Sequence, residues 1–302
     1  MRIGRVFIAP LKIRRNQMDF LGNENPSLGN GRWDRDVLSR RAYKFNEVIR
    51  YSLDEKIEIT NDIIAQAKRD IDGDIAIACS FGKDSVVMLH LILEKIPDAK
   101  IVFNNTGVEY TETMVLMKKI IKLWDLDVIE LKPKPEHQYF RLIRIYGFPG
   151  TSRAKQRGGH TPKCCFYLKE KPMIDHVKIK EHGISGISVG LMGIESVNRR
   201  SVALRFGGLH YTVQPWNCYK IWPIIHWTDD DIWKYHDIFE IPRNEAYKKY
   251  GITRTGCATC TNFIDWEMVM KKWNPKMYAR IRKMMDDFEE EDKPSNALER
   301  WI

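Results

Sequence analysis

The sequence is short of several things, and each shortage narrows its class. None of its 302 residues lies in an apolar run near the ~20 residues that a membrane-spanning helix requires. The opening MRIGRVFIAPLKIRR holds no uninterrupted apolar segment of the secretory type, so a cytoplasmic protein without a membrane is expected. Internal repeats and low-complexity tracts are missing, which argues against solenoids and disordered chains. Cysteine is sparse, six in all, and in a cytosolic chain these read as metal or redox chemistry rather than disulfides. Acid is in deficit: 49 Lys and Arg stand against 40 Asp and Glu, a net charge of +9 and a pI near 9.1. That balance suits a polyanionic partner.

What is present is an ordinary globular composition, 43% hydrophobic and 29% charged. The basic excess is local. One concentration lies in residues 1–50, with Arg14, Arg15, Arg32, Arg40 and Arg41 beside Trp33, Tyr43 and Phe45; another runs through 141–171. A Gly/Asn-containing arm precedes a basic helix from about Asp34, and 57–69 reads as a second helix. Strands at 74–79, 100–104 and 127–131 then alternate with helices at 84–94 and 111–124. This alternation predicts an α/β fold, a parallel twisted sheet with helices on both faces. Further strands are expected at 187–191 and 221–225. Residues 144–163, rich in Gly, Arg and Lys, read as a mobile loop. Thr228 is an N-cap for the helix that follows, 265–291 as one or two amphipathic helices, and the closing EEED as a solvated helix end.

The chemistry centres on IACSFGKDSVVMLHL, residues 77–91. An apolar strand turns directly into a helix through Ser80, Phe81, Gly82, Lys83, Asp84 and Ser85. Such a turn sits where parallel sheets bind ligands, and the new helix offers free N–H groups and a positive dipole end to an anion. Gly82 permits close approach, Ser80 and Ser85 add hydroxyls, and Lys83 adds a charge for phosphate. The Walker spacing G-x-x-x-x-G-K-[ST] is absent.

These residues resemble the SGGKDS loop of the PP-loop adenine-nucleotide α-hydrolases, with Phe81 replacing a glycine, which implies a backbone angle that a bulky residue adopts. FNNTGVEYTET at 103–113 is similar to the V-F-x-D-T-G-x-E-F-P-E-T segment of the phosphoadenosine phosphosulfate (PAPS) reductase branch, with Asn105 in place of aspartate. TPKCCFYLKEKP, GLMGIES followed by Arg199 and Arg200, and the stretch from WPIIHW to GCATC match further elements of that branch, in order. The resemblance covers residues 55–263. It implies an adenine nucleotide α-hydrolase-like (HUP-type) domain there, after a basic extension at 1–54 and before a helical segment at 264–302.

Cys257 and Cys260 form a C-x-x-C, a spacing common to zinc and iron–sulfur ligation. With Cys164 and Cys165, the resemblance implies a [4Fe-4S] cluster; zinc and free redox thiols stay open as alternatives. Cys79 reads as a small buried residue, and Cys218 carries no clear role. His90 and His226 read as buried histidines; His160, just before Cys164 and among arginines, is a candidate substrate contact on position alone, with no role assigned to it.

Sulfonucleotide reductases of this branch carry a catalytic cysteine in their tail, whereas no cysteine follows Cys260 here, and Met192 stands where the branch has an arginine. Both departures turn the expectation toward splitting of ATP at the α-phosphate for sulfur incorporation into nucleic acid, resembling DNA phosphorothioation or tRNA thiolation enzymes. A PAPS or APS (adenosine 5′-phosphosulfate) reductase and a non-catalytic nucleotide-binding subunit are the alternatives. In the expected site Lys83, Asp84 and Ser85 are catalytic, with Asp84 helping to place Mg²⁺. Ser80, Gly82, Asn105, Thr106, Gly107, Glu109, Gly190, Glu195 and Arg199 or Arg200 surround the ATP. Expected partners are DNA or tRNA, a sulfur donor such as a cysteine desulfurase, and a second copy of the chain.

Overall fold

The computed structural model describes residues 21, 26–29, 31–158, 162–212 and 214–292. In chain order come β1 (Ser27–Gly29), β2 (Arg32–Trp33), α1 (Arg35–Val48), α2 (Leu53–Asp70), β3 (Asp74–Ala78), α3 (Lys83–Lys95), β4 (Lys100–Asn104), α4 (Thr111–Trp124) and β5 (Val128–Leu131). Next are α5 (Tyr139–Tyr146), α6 (Ser152–Gly158), α7 (Lys163–Cys165), a π-helical turn (Phe166–Glu170), α8 (Lys171–Val177), β6 (Ile184–Val189) and α9 (Val197–Phe206). The chain continues through β7 (Leu209–Thr212), β8 (Cys218–Ile221), α10 (Asp229–Ile238), α11 (Glu245–Tyr250), α12 (Trp266–Trp273) and α13 (Pro275–Glu291). No described helix is long and apolar enough to cross a membrane.

The contacts divide the chain into two compact units. The first comprises residues up to Phe103, Met114–Glu130 and Ile174–Asn244; the second comprises Asn104–Thr113, Leu131–Met173 and Glu245–Ile302. The sheet has the order β5-β4-β3-β6-β8-β7, with β4, β3, β6 and β8 parallel and β7 antiparallel to β8. Its central strands are apolar runs, as burial on both faces demands: Ile75, Ile77, Ile101, Val102 and Ile187 are all buried. Helix starts follow the chemistry of their caps. Ser52 and Glu55 form a reciprocal capping box on α2, Thr228 and Asp231 another on α10, and Asn274 caps α13 ahead of Pro275.

Three expectations need correction. The strand expected at 221–225 lies earlier, at Cys218–Ile221, and is joined by an edge strand, Leu209–Thr212, too short and polar to stand out. The strand at 187–191 begins three residues earlier, at Ile184. Most strongly, 144–163 is no simple loop, for it contains α6. Arg153 is the anchor there. It is buried, donates to Asp292 Oδ2 at 2.7 Å and Glu291 Oε2 at 2.6 Å, and sits 4.1 Å from the centroid of the Phe288 ring. The acidic end of α13 is therefore an anchor for α6 and not merely a solvated terminus.

Two features of the first unit position the turn after β3. Phe81 has φ +54, in the left-handed region that bulky residues rarely enter. The angle is thus of the kind glycine adopts, contrary to expectation, while Gly82 has an ordinary φ of −82. Burial holds Phe81 there: its ring is fully enclosed and meets Phe103 edge-on, 5.6 Å between centroids. The second feature ties α2 to α10. Lys56, 1% exposed, donates to Asp231 Oδ2 at 2.6 Å and to Ile49 O at 2.7 Å.

Phe81→Gly removes backbone strain of about 1–2 kcal/mol but deletes a buried aromatic whose truncation costs about 3–5 kcal/mol. A net loss of roughly 1–4 kcal/mol in urea unfolding is expected from those two terms; equal or higher stability would mean that strain outweighs packing. Lys56→Met leaves the Asp231 carboxylate buried without its cation and is expected to cost about 3–5 kcal/mol, read from the same midpoint. A loss below about 1 kcal/mol would show the pair to be dispensable.

Candidate functional site

In the first unit a tight turn joins the C-terminal end of β3 to α3. Gly82 is the N-cap of α3 in an extended conformation, and its own lack of a side chain leaves the helix start without a side-chain cap. The start of α3 directs the positive end of the helix dipole to this point. Ser80 and Ser85 hydroxyl oxygens lie 3.2 Å apart, and Ser85 donates to Gly82 O at 3.0 Å. Gly190, which follows β6, abuts this turn: a Cβ there would stand 3.1 Å from Ser85 Cα and 3.2 Å from its nitrogen. A side chain at 190 would require the start of α3 to give by a few tenths of an ångström.

Lys83 lies 4% exposed with its ammonium 2.8 Å from both Asp84 Oδ1 and Asp229 Oδ1. Burial works against the charge, but the two carboxylates outweigh it and keep the Lys83 pKa above its ordinary value. Burial raises the Asp84 carboxyl despite the neighbouring ammonium. His236 Nε2 donates to Lys83 O at 3.1 Å and fixes α3 against α10. Asp229 was not among the residues expected at the site. Its signal was the triple acid that opens α10, of which Asp231 serves the cap and Lys56 while Asp229 faces Lys83.

Mg²⁺ does not fit Asp84 as it stands, because the Lys83 ammonium already occupies the place of a cation beside it. Glu195 and Arg199 pair with each other, and Glu195 also accepts from Met192 N at 3.2 Å. Met192 is fully buried. Arg200 lies over the Phe45 ring and donates to Asn46 Oδ1 at 2.8 Å.

The second unit brings Asn105, Thr106, Gly107 and Glu109 together with the cysteines. Asn105 Oδ1 accepts from Gly107 N at 2.9 Å, which shapes the turn. Thr106 Oγ1 donates to Glu109 Oε1 at 2.7 Å and lies 3.6 Å from Cys257 Sγ. A β-bridge joins Glu109 to Cys257, and Ala258 N donates to Val108 O at 2.7 Å. Asn104 Nδ2 donates to Lys169 O at 2.7 Å, which ties in the π-helical turn directly after Cys165. Such turns are frequent at functional sites.

All four thiols are free. Cys164 donates to Cys165, drawing the Cys165 pKa down to about 6 against burial and with help from Lys169. Burial pushes Cys257 up to about 11, opposed by Lys169, and raises Cys260 as well. Lys169 is held strongly in its ammonium form, mainly by Cys257 and against burial. The charges of Cys165, Cys257 and Cys260 all act on this one cation. In donor chemistry the set fits an iron–sulfur cluster, which needs four thiolates and a compensating charge. Among the described residues, no group of three or more His, Cys, Asp or Glu stands in metal-holding geometry; the thiols are gathered without being drawn in to ligand distances.

Other residues singled out from the sequence have structural places. Cys79 is buried beside Ser85, its thiol pushed up to about 11 by burial, and Cys218 is buried too. His90 shares a 2.9 Å hydrogen bond with Tyr235, and His226 Nε2 donates to Lys56 O at 3.1 Å; burial pushes both imidazoles down to about 4. Arg41 is buried and donates to Leu204 O at 3.1 Å at the end of α9. Phe45 is core, Trp33 packs edge-on to Phe206, and Tyr43 is exposed. Arg14, Arg15 and His160 lie outside the described residues.

Comparison with known proteins places this geometry in a family. Adenosine 5′-phosphosulfate reductase of Bacillus cereus is 27% identical over 226 residues, spanning 74% of this chain and 88% of that protein. The crystal structure of PAPS reductase from Candida auris in complex with phosphate covers 78% of this chain and 98% of its own, at 16% identity and a TM-score of 0.49. That of a U34-tRNA thiolase from Methanococcus maripaludis with its [4Fe-4S] cluster covers 80% of each, at 15% identity and a TM-score of 0.41. The phosphoadenosine phosphosulfate reductase domain matches residues 74–263, and the chain belongs to that family.

Proposed function

We propose that the protein is an adenosine sulfonucleotide reductase, acting on adenosine 5′-phosphosulfate or its 3′-phosphorylated form. The observation that carries this reading is the turn at 80–85, where a buried lysine, two hydroxyls and a helix start converge at the edge of a parallel sheet. The curated relatives named adenosine 5′-phosphosulfate reductase support the choice of substrate.

In the proposed reaction the nucleotide's phosphate binds the α3 amides, Ser80 and Ser85. Lys83 exchanges a carboxylate partner for phosphate and stabilises the charge that gathers on AMP as it leaves. A thiolate attacks the sulfonyl sulfur, the sulfur–oxygen bond to AMP breaks, and a thiosulfonate forms on the attacking sulfur. A second thiol then releases sulfite and closes a disulfide, so one dithiol supplies the two electrons. Cys164, Cys165, Cys257 and Cys260 would hold a [4Fe-4S] cluster, with Lys169 offsetting its negative charge. When bound, such a cluster supplies a redox centre whose potential follows the charges around it.

One observation favours a second reading. Met192 is buried where the resembled reductase branch has an arginine, so the site lacks that contact to the nucleotide's anionic groups. In the alternative, an oxygen of a nucleic acid attacks the α-phosphorus of ATP, pyrophosphate leaves, and a sulfur from a cysteine desulfurase-type donor displaces AMP.

The test is anaerobic purification of the full chain, then incubation with adenosine 5′-phosphosulfate, PAPS or ATP and a dithiol. Sulfite from a sulfonucleotide is expected, with Lys83→Met reducing its rate by about 10²–10³-fold while the protein stays folded. Sulfite formation undiminished by Lys83→Met would contradict the role of the turn. Pyrophosphate from ATP with no sulfite from either sulfonucleotide would replace the first reading by the second.

A further inference from the structure

A second site lies in the first unit, at the opposite end of the same sheet. β6 runs from Ile184 to Val189 before Gly190 meets the phosphate turn, a span of roughly 20 Å for its length. Beside its starting end is a cavity of about 550 Å³, bounded by the ends of α2 and α8, the start of β6 and the β7–β8 connection. That volume is in the range of small-molecule sites, about 300–1,000 Å³. None of its lining residues belongs to the turn at 80–85 or to the cysteines.

Aromatic rings dominate one wall. Tyr211 is 49% exposed, stands edge-on to Tyr219 at 5.1 Å, and has its hydroxyl 3.0 Å from Asn217 Oδ1. Trp216 adds an indole backed by the Lys220 ammonium, 2.8 Å from its ring centroid. The lining also includes Lys178 and Lys180, both exposed. Asp70 and Asp72 border the same space and offset those two charges. With two charges of each sign in the lining, the space suits a ligand carrying one phosphate better than a triphosphate. Flat aromatic faces next to lysine are the elements with which proteins hold unpaired nucleotides.

We propose that this cavity binds one unpaired nucleotide, its base against Tyr211 and Trp216 and its phosphate at Lys178 and Lys180. The ligand is either a free nucleoside monophosphate or a nucleotide within a single strand, and the inference is independent of the reaction assigned to the turn at 80–85. The experiment uses the full chain and two probes: uridine 5′-monophosphate by calorimetry, and fluorescein-labelled decathymidylate by anisotropy across a salt series. Tyr211→Ala is expected to weaken binding about fivefold or more, the loss of one base stack. Lys178→Ala/Lys180→Ala is expected to lower the salt slope for the strand by about 0.7, one phosphate contact.

An effect confined to the strand assigns the site to a polynucleotide, and one confined to the monophosphate assigns it to a free nucleotide. Sulfite or pyrophosphate formation by both variants stays at the parent rate, which separates this site from the other. Binding of both probes unchanged in both variants overturns the proposal, as does failure of the parent to bind either probe.

Discussion

Everything at the candidate site follows from one ammonium group held nearly out of water. Lys83 opens α3 with its charge between Asp84 and Asp229. An ammonium so buried stays charged because two carboxylates face it. A phosphate at the helix start would offer Lys83 more negative charge than either carboxylate. The ion pairs hold the cation in place at the start of α3. The strain at Phe81, the tight contact of Gly190 with Ser85, and the hydrogen bond from His236 to Lys83 O all serve to hold this first turn of α3.

The second unit applies the same economy of charge to sulfur. Several thiols share the field of Lys169, and the segments bearing them are joined by a β-bridge and by the bond from Asn104 to Lys169 O. Without that cation, neighbouring thiolates would repel each other in a poorly solvated setting. The ordering of α6 by Arg153, Glu291 and Asp292 completes the unit from residues distant in sequence.

The parts visible in the sequence were those written locally. Alternating apolar runs and helical periods defined β3, α3, β4 and α4 within a residue or two. The turn at 80–85 announced itself by composition, as did the cysteines by spacing. What stayed hidden depended on partners far along the chain. Asp229 meets Lys83 across 146 positions, and Asp292 meets Arg153 across 139. The glycine-like angle of Phe81 could not be inferred, because its cost is met by burial against Phe103, a tertiary contact. Edge strand β7 is four residues long and has no apolar run to reveal it. The cavity walled by Tyr211 and Trp216 arises only when the β7–β8 connection folds beside α8.

The most direct measurement is a crystal structure of the protein with AMP. The account predicts phosphate oxygens at hydrogen-bond distance from Ser85 and the first amides of α3, with the Lys83 ammonium turned from Asp229 to the phosphate. A nucleotide bound elsewhere, with Lys83 still held between Asp84 and Asp229, would contradict it.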